Sequence, residues 1–266
     1  MSENALPHFS AGNGPSLVVL PGLSGRTGTP ARLKAWIQRK TIADFIGDRT
    51  VFCIDRRYDL EPGISIADLA GEYARTVASL FDEPVDVLGI STGGTIALQL
   101  AADYPELVRR LVLVSSAHRL SDRGRATQRT VAQLLRAGRD RRAAAVYLGT
   151  TGATPFEQGV RSIAGLIAPR AVIGRQDTDL LVTLDAEDDF DLGERLETIE
   201  VPTLIAGGQF DAYYSSAFFE YTSERMPNAQ LSVRSGAGHL GTQGNPRLAR
   251  EILAFLEASP GEERSR

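Results

Sequence analysis

The sequence predicts an α/β protein built on a doubly wound, mostly parallel sheet with an inserted helical cap. Three observations carry this expectation. Short β-rich apolar runs alternate with amphipathic helical stretches up to residue 118, the alternation gives way over 119–200 to helical patterns alone, and a strand pattern resumes at 201–206. The expected division is therefore a core of 1–118 and 201–266 with a cap of 119–200, because a structureless excursion of that length is uncommon.

Taken in order, residues 1–15 are polar, carry His8, and have room for one edge strand at most. The run SLVVL at 16–20 suits a buried parallel strand and ends in the glycine-rich loop Pro21-Gly22-Leu23-Ser24-Gly25. Thr29 before Pro30 resembles a helix start, with Trp36 and Ile37 on the apolar face of a helix reaching about Ile46. Strands follow at 50–54, in the apolar run that begins at 85 and stops at the Gly89 turn, and at 111–115, separated by helices at 66–81, capped by Ser65, and at 92–104. Helical stretches within the cap fall near 126–137, 141–148, 156–167 and 177–184. Arginines crowd 119–142 and acids crowd 177–200, a division expected to reflect solvated helix faces or pairing within the cap. After the strand at 201–206 come a helix at 215–225, a strand near 230–233 and a last amphipathic helix at 246–258; the polar tail 259–266 is expected to be disordered.

Composition narrows the function classes. The 266 residues suffice for one domain with an insertion and a sizeable core. A net charge of −4 argues against non-specific nucleic-acid binding, which depends on clustered cations. The lone Cys53 excludes an internal disulfide and any cysteine-cluster metal site, and its apolar setting suggests a small core residue. The N-terminus lacks a signal-peptide pattern and no apolar stretch approaches the ~18 residues of a membrane span. A cytoplasmic protein without membrane association is expected, as a monomer or homodimer. No metal or other cofactor is implied, because the acids and histidines lack ligand spacing.

The chemistry centres on residues 85–94, VDVLGISTGG, where an apolar run stops at a glycine–serine–glycine turn and a helical pattern begins. Gly89-Ile90-Ser91-Thr92-Gly93 is a G-x-S-x-G elbow, a turn so tight that larger residues at the glycines would collide with the adjoining strand and helix. It would expose the Ser91 hydroxyl at a helix N-terminus. The plain alternative is an ordinary strand-to-helix loop with a capping serine. A serine nucleophile needs a base within hydrogen-bond reach, and that base needs a carboxylate to orient it. His239 sits in a glycine-flanked, flexible loop after the last strand, and Asp211 just past the strand that follows the cap, both at the sheet edge that carries the elbow. Their alternatives are a surface histidine and a turn aspartate. The order Ser91, Asp211, His239 matches one fold among the well-known triads.

At this point the chain resembles the α/β-hydrolase superfamily over nearly its full length, in the lid-bearing branch of esterases, haloperoxidase-like perhydrolases, proline iminopeptidases and carbon–carbon bond hydrolases. The resemblance rests on PGLSG, GISTGG, GGQFD and GAGHLG. It implies Ser91 as nucleophile, His239 as base then acid, Asp211 as orienting acid, and the backbone amides of Leu23 and Thr92 as an oxyanion hole. The first glycine loop departs from the family's usual His-Gly by having Pro21-Gly22. Ser24, His118, Tyr213, Tyr214 and Leu240 flank the catalytic positions and are candidate pocket residues, with core packing the expected role of the tyrosines.

The expected function is a carboxylesterase-type serine hydrolase acting on a small-molecule ester or related carbonyl compound. Carbon–carbon bond hydrolysis, perhydrolysis and a non-catalytic small-molecule receptor remain alternatives. A dehydrogenase reading of Gly22, Gly25, Gly28 and Asp55 fails for want of a tyrosine four residues before Lys34 or Lys40, the only lysines.

Overall fold

The structure is a computed structural model and describes residues 5–23, 42–174 and 178–258. Ser24, the helix start expected at Thr29, Trp36, Ile37 and the tail 259–266 lie outside the described residues.

The described residues form a seven-stranded sheet: β1 (His8–Gly12), β2 (Ser16–Leu20), β3 (Thr50–Ile54), β4 (Val85–Ile90), β5 (Val108–Val114), β6 (Thr203–Gly208) and β7 (Ala229–Arg234). Their order is β1-β3-β2-β4-β5-β6-β7, with β1 antiparallel to β3 and every other pairing parallel. The expected mostly parallel, doubly wound sheet is therefore found. The single edge strand for which residues 1–15 have room is β1, and His8 begins it opposite Ile54.

The central strands bury both faces. Along β2, Val18 and Leu20 point into one apolar cluster while Leu17 and Val19 point into the other, the period-two alternation of a pleated strand. On the first face, helices α1 (Ile66–Leu80) and α2 (Thr92–Asp103) contribute Leu69, Tyr73, Ile96 and Leu100. On the second, the closing helix α10 (Pro246–Glu257) contributes Leu248, Ile252 and Phe255. Ser65 starts α1 with a reciprocal capping box to Asp68, as its sequence position anticipates.

Between β5 and β6 the described helices are α3 (Asp122–Arg136), α4 (Asp140–Thr150), α5 (Pro155–Ile167), α6 (Pro169–Ile173) and α7 (Thr178–Asp188), followed by a 3-10 helix at Gly193–Thr198. The four anticipated helices are all present; α6 and the 3-10 helix are additions too short for periodicity to reveal. These helices share a small apolar cluster of their own, including Val131, Ala144, Ile173, Leu180 and Leu184. Their opposite charges meet: Arg129 pairs with Asp188 at 2.8 Å and Arg136 with Asp185 at 2.6 Å. The division of charge read from the sequence is thus pairing between α3 and α7. A 3-10 turn at Pro105–Leu107 leads into β5, and helix α8 (Ser216–Arg225) and the short α9 (His239–Gln243) complete the described elements.

Candidate active site

The turn after β4 is where the sequence places its chemistry, and the backbone there is strained. Ser91 has φ 52° and ψ −124°, a conformation that costs a non-glycine residue on the order of 1–3 kcal/mol. Its neighbours make room. A Cβ on Gly93 would lie 2.1 Å from the Leu20 carbonyl oxygen, and one on Gly89 would lie 2.5 Å from the Gly94 Cα, so only glycine fits at either position. The Ser91 amide donates to the Val114 carbonyl at 2.9 Å, pinning the turn to β5. Although Ser91 occupies the N-cap of α2, its side chain makes no capping bond.

The hydroxyl is directed elsewhere. Ser91 Oγ lies 2.9 Å from His239 Nε2, and His239 Nδ1 lies 2.8 Å from Asp211 Oδ2. Asp211 accepts the Tyr213 amide at 2.9 Å and the Tyr214 amide at 3.2 Å on its other oxygen, so both carboxylate oxygens are engaged. An acceptor-only carboxylate at Nδ1 requires the proton there, which leaves Nε2 with a lone pair toward Ser91. Asp211 and His239 are buried. The histidine does not sit in a flexible loop as its glycine flanks suggest: it opens α9 with Gly238 as N-cap, and its carbonyl accepts the Ser115 hydroxyl at 3.0 Å.

The remaining candidates divide. Tyr213 and Tyr214 wall the site, their rings 5.0 Å and 6.1 Å from that of His239. Burial raises both phenols well above their ordinary pKa, and each hydroxyl is satisfied, Tyr213 donating to the Tyr147 carbonyl at 3.0 Å. Leu23 packs against the apolar cluster of the α3–α7 helices, and its carbonyl accepts the Tyr147 hydroxyl at 3.3 Å. A Cβ on the preceding Gly22 would lie 3.3 Å from that of Ser91, so this loop passes close above the turn. Thr92 is the first residue of α2, where a helix amide has no intrahelical acceptor and points out of the helix start. Leu240 is exposed next to His239. His118 is not brought to Ser91: its Nδ1 lies 2.8 Å from Thr222 Oγ1, with Phe218 and Tyr221 against its ring. Burial lowers its pKa to about 4, with Asp191 opposing and Arg119 adding to the effect.

Two groups escape the sequence reading. Ser121 ties the start of α3 to the acid loop, its amide donating to the Tyr213 carbonyl at 2.7 Å and its hydroxyl to the Ala212 carbonyl at 2.8 Å. Glu187 lies in the acid-rich stretch expected to be solvated or paired within the cap, yet it is buried. No periodicity marks it: Asp179, Val182, Thr183 and Ala186 of the same helix are buried along with Leu180 and Leu184, so the buried positions do not keep to one narrow stripe. Among the described residues no group of three His, Cys, Asp or Glu is arranged to hold a metal ion, and no helix is long and apolar enough to cross a membrane.

The sequence profile of the alpha/beta hydrolase family matches residues 17–251. The chain belongs to that family. Among similar curated proteins is a pimeloyl-acyl-carrier protein methyl ester esterase of Neisseria meningitidis serogroup A, 32% identical over 171 residues, covering 62% of this chain and 54% of the relative. The matched stretch thus spans about half the length of that esterase. Pyrrolizixenacetamide deacetylase of Xenorhabdus hominickii is 28% identical over 258 residues, covering 93% of this chain and 91% of the relative. Among solved structures, an alpha/beta hydrolase enzyme from a Medee basin deep-sea metagenome library superposes with a TM-score of 0.79 at 17% identity, covering 95% of this chain and 94% of that one. The enol-lactonase of Burkholderia xenovorans superposes with a TM-score of 0.76 at 20% identity, covering 95% and 96%. At these identities the two solved structures share the family fold with this chain.

Proposed function

We propose that this protein is a serine hydrolase of carboxylesterase type that cleaves an ester, or a related carbonyl bond, of a small molecule through an acyl-enzyme on Ser91. The reading is carried by one observation: the Ser91 hydroxyl forgoes helix capping and instead meets His239 Nε2 at 2.9 Å, while Asp211 holds His239 Nδ1 at 2.8 Å. His239 takes the serine proton as Oγ attacks the carbonyl carbon, and Asp211 stabilises the imidazolium that forms. The amides of Leu23 and Thr92 are the proposed donors to the tetrahedral oxyanion, favoured by the loop's close approach above the turn and by the open helix start. His239 then returns the proton to the leaving alkoxide, and water activated by the same nitrogen releases the acid.

The helices of 119–200, with their own apolar cluster, are the proposed cap over this site. The names of the similar proteins, a methyl ester esterase and a deacetylase, agree with acyl transfer to water. The test is hydrolysis of p-nitrophenyl esters across acyl chain lengths by the native protein and Ser91→Ala. Turnover that falls at least about 10³-fold in the variant is expected. Equal turnover in the two proteins overturns the proposal.

A further inference from the structure

Glu187 sits on α7 at 1% exposure, and among the described residues its hydrogen-bond partners are three neutral groups, on α2, on α3 and in the turn after β6. Oε2 accepts the Thr92 hydroxyl at 3.0 Å and the Gln128 amide at 2.7 Å; Oε1 accepts the Tyr214 hydroxyl at 2.6 Å. A carboxylate withdrawn from water is costly unless its lone pairs are filled, so this one holds its donors firmly. The donors are informative. Thr92 is the residue after Ser91 and supplies the proposed oxyanion amide. Tyr214 gives its own amide to Asp211 and stacks its ring over His239, 6.1 Å away with planes 14° apart. Gln128 belongs to α3, so the same carboxylate also joins the two helices paired through Arg129 and Asp188.

We infer that Glu187 is a positioning residue for the hydrolytic site: the carboxylate buried in α7 bridges the Thr92 hydroxyl and the Tyr214 hydroxyl, holding the oxyanion donor and the acid–base pair in register from the cap side. This rests on the serine-hydrolase reading. Glu187 touches none of the reacting atoms. It fixes the χ1 of Thr92, and with it the first turn of α2, and it fixes the ring that backs the imidazole. The seating of α7 on the core thereby becomes a condition of transition-state stabilisation, because oxyanion donors misplaced by a fraction of an ångström lose most of their effect.

Glu187→Gln keeps the volume but replaces one acceptor oxygen by an amide, which must face donors on one side of the bridge. The expected result is a kcat lower by about 10- to 100-fold with KM changed less than about threefold, since the loss falls on the transition state alone. Thr92→Val removes the same bridge from its other end. The double variant is expected to be no slower than Glu187→Gln, because the two residues act as a unit. A folded Glu187→Gln with native kcat, or losses that multiply in the double variant, overturns the inference and leaves Glu187 a packing element. If Glu187→Gln does not fold, Tyr214→Phe and Thr92→Val decide: each keeps the local shape and is expected to lower kcat with KM held, and native kcat in both overturns the inference. Ser91→Ala, assayed alongside, separates the two readings. Its retained turnover removes the hydrolase reading, whereas its inactivity beside a native-like Glu187→Gln removes only the role of Glu187.

Discussion

Gly93 lies against Leu20 so closely that the carbonyl oxygen of Leu20 occupies the space of a Cβ, 2.1 Å from where that atom would stand. The contact joins the helix after the elbow to the strand β2 beside it, and backbone on both sides leaves nothing that yields. Gly93→Ala is expected to destabilise the protein by about 3 kcal/mol, at the upper end of overpacking effects, measured as a lowered midpoint in urea. Gly159, within α5, has open space where a Cβ would stand, and Gly159→Ala is expected to raise stability by about 0.5–1 kcal/mol through helix propensity alone. Opposite signs for the two substitutions check the packing at the elbow. Equal effects would mean that the turn relaxes freely.

Asp211→Asn retains the size of the side chain but places an amide or a neutral oxygen against His239 Nδ1. On the proposed chemistry the imidazole loses the partner that fixes its tautomer, and kcat is expected to fall by about 10³- to 10⁴-fold with the fold intact. Steady-state ester hydrolysis together with far-UV circular dichroism checks this. Because the Tyr213 and Tyr214 amides also bind the carboxylate, the variant is expected to retain part of that loop's order, and activity should fall further than stability does.

His118 links stability to pH. Its pKa falls from 6.5 to about 4 on folding, chiefly by burial, so the unfolded chain takes up a proton that the folded protein resists. The neutral ring is compatible with its contact: the Thr222 hydroxyl already donates to the Phe218 carbonyl at 2.6 Å, so His118 must donate from Nδ1. The contribution is complete above pH 6.5 and is lost as the pH falls through 6.5 toward 4, amounting to at most about 3 kcal/mol. His118→Asn puts an amide donor near the position of Nδ1 and removes the titration. Urea unfolding between pH 4 and pH 7 is expected to give a shallower pH dependence for the variant than for the native protein, and parallel curves would count against the buried neutral ring.

The layer order of this fold and its elbow were legible in the chain because each rests on local periodicity. Runs such as SLVVL and VDVLGI can be buried strands only if both faces are covered, and Gly89 and Gly93 mark a turn whose steric demand acts within a few residues. The spacing of Ser91, Asp211 and His239 was readable for a related reason: parallel strands return every loop of this kind to one sheet edge, so residues 148 positions apart meet at 2.9 Å. The packing of the helical insertion lay beyond such reasoning. Glu187 in an acidic helix and His118 at the exit of β5 have sequence surroundings that fit water as well as an interior, and α6 is too short for a helical periodicity to repeat within it. Their burial depends on which helix face meets which wall of the core, a long-range choice set by contacts such as Glu187 with Thr92 and Ser121 with Tyr213, and neither contact leaves a trace in the residues adjacent to it along the chain.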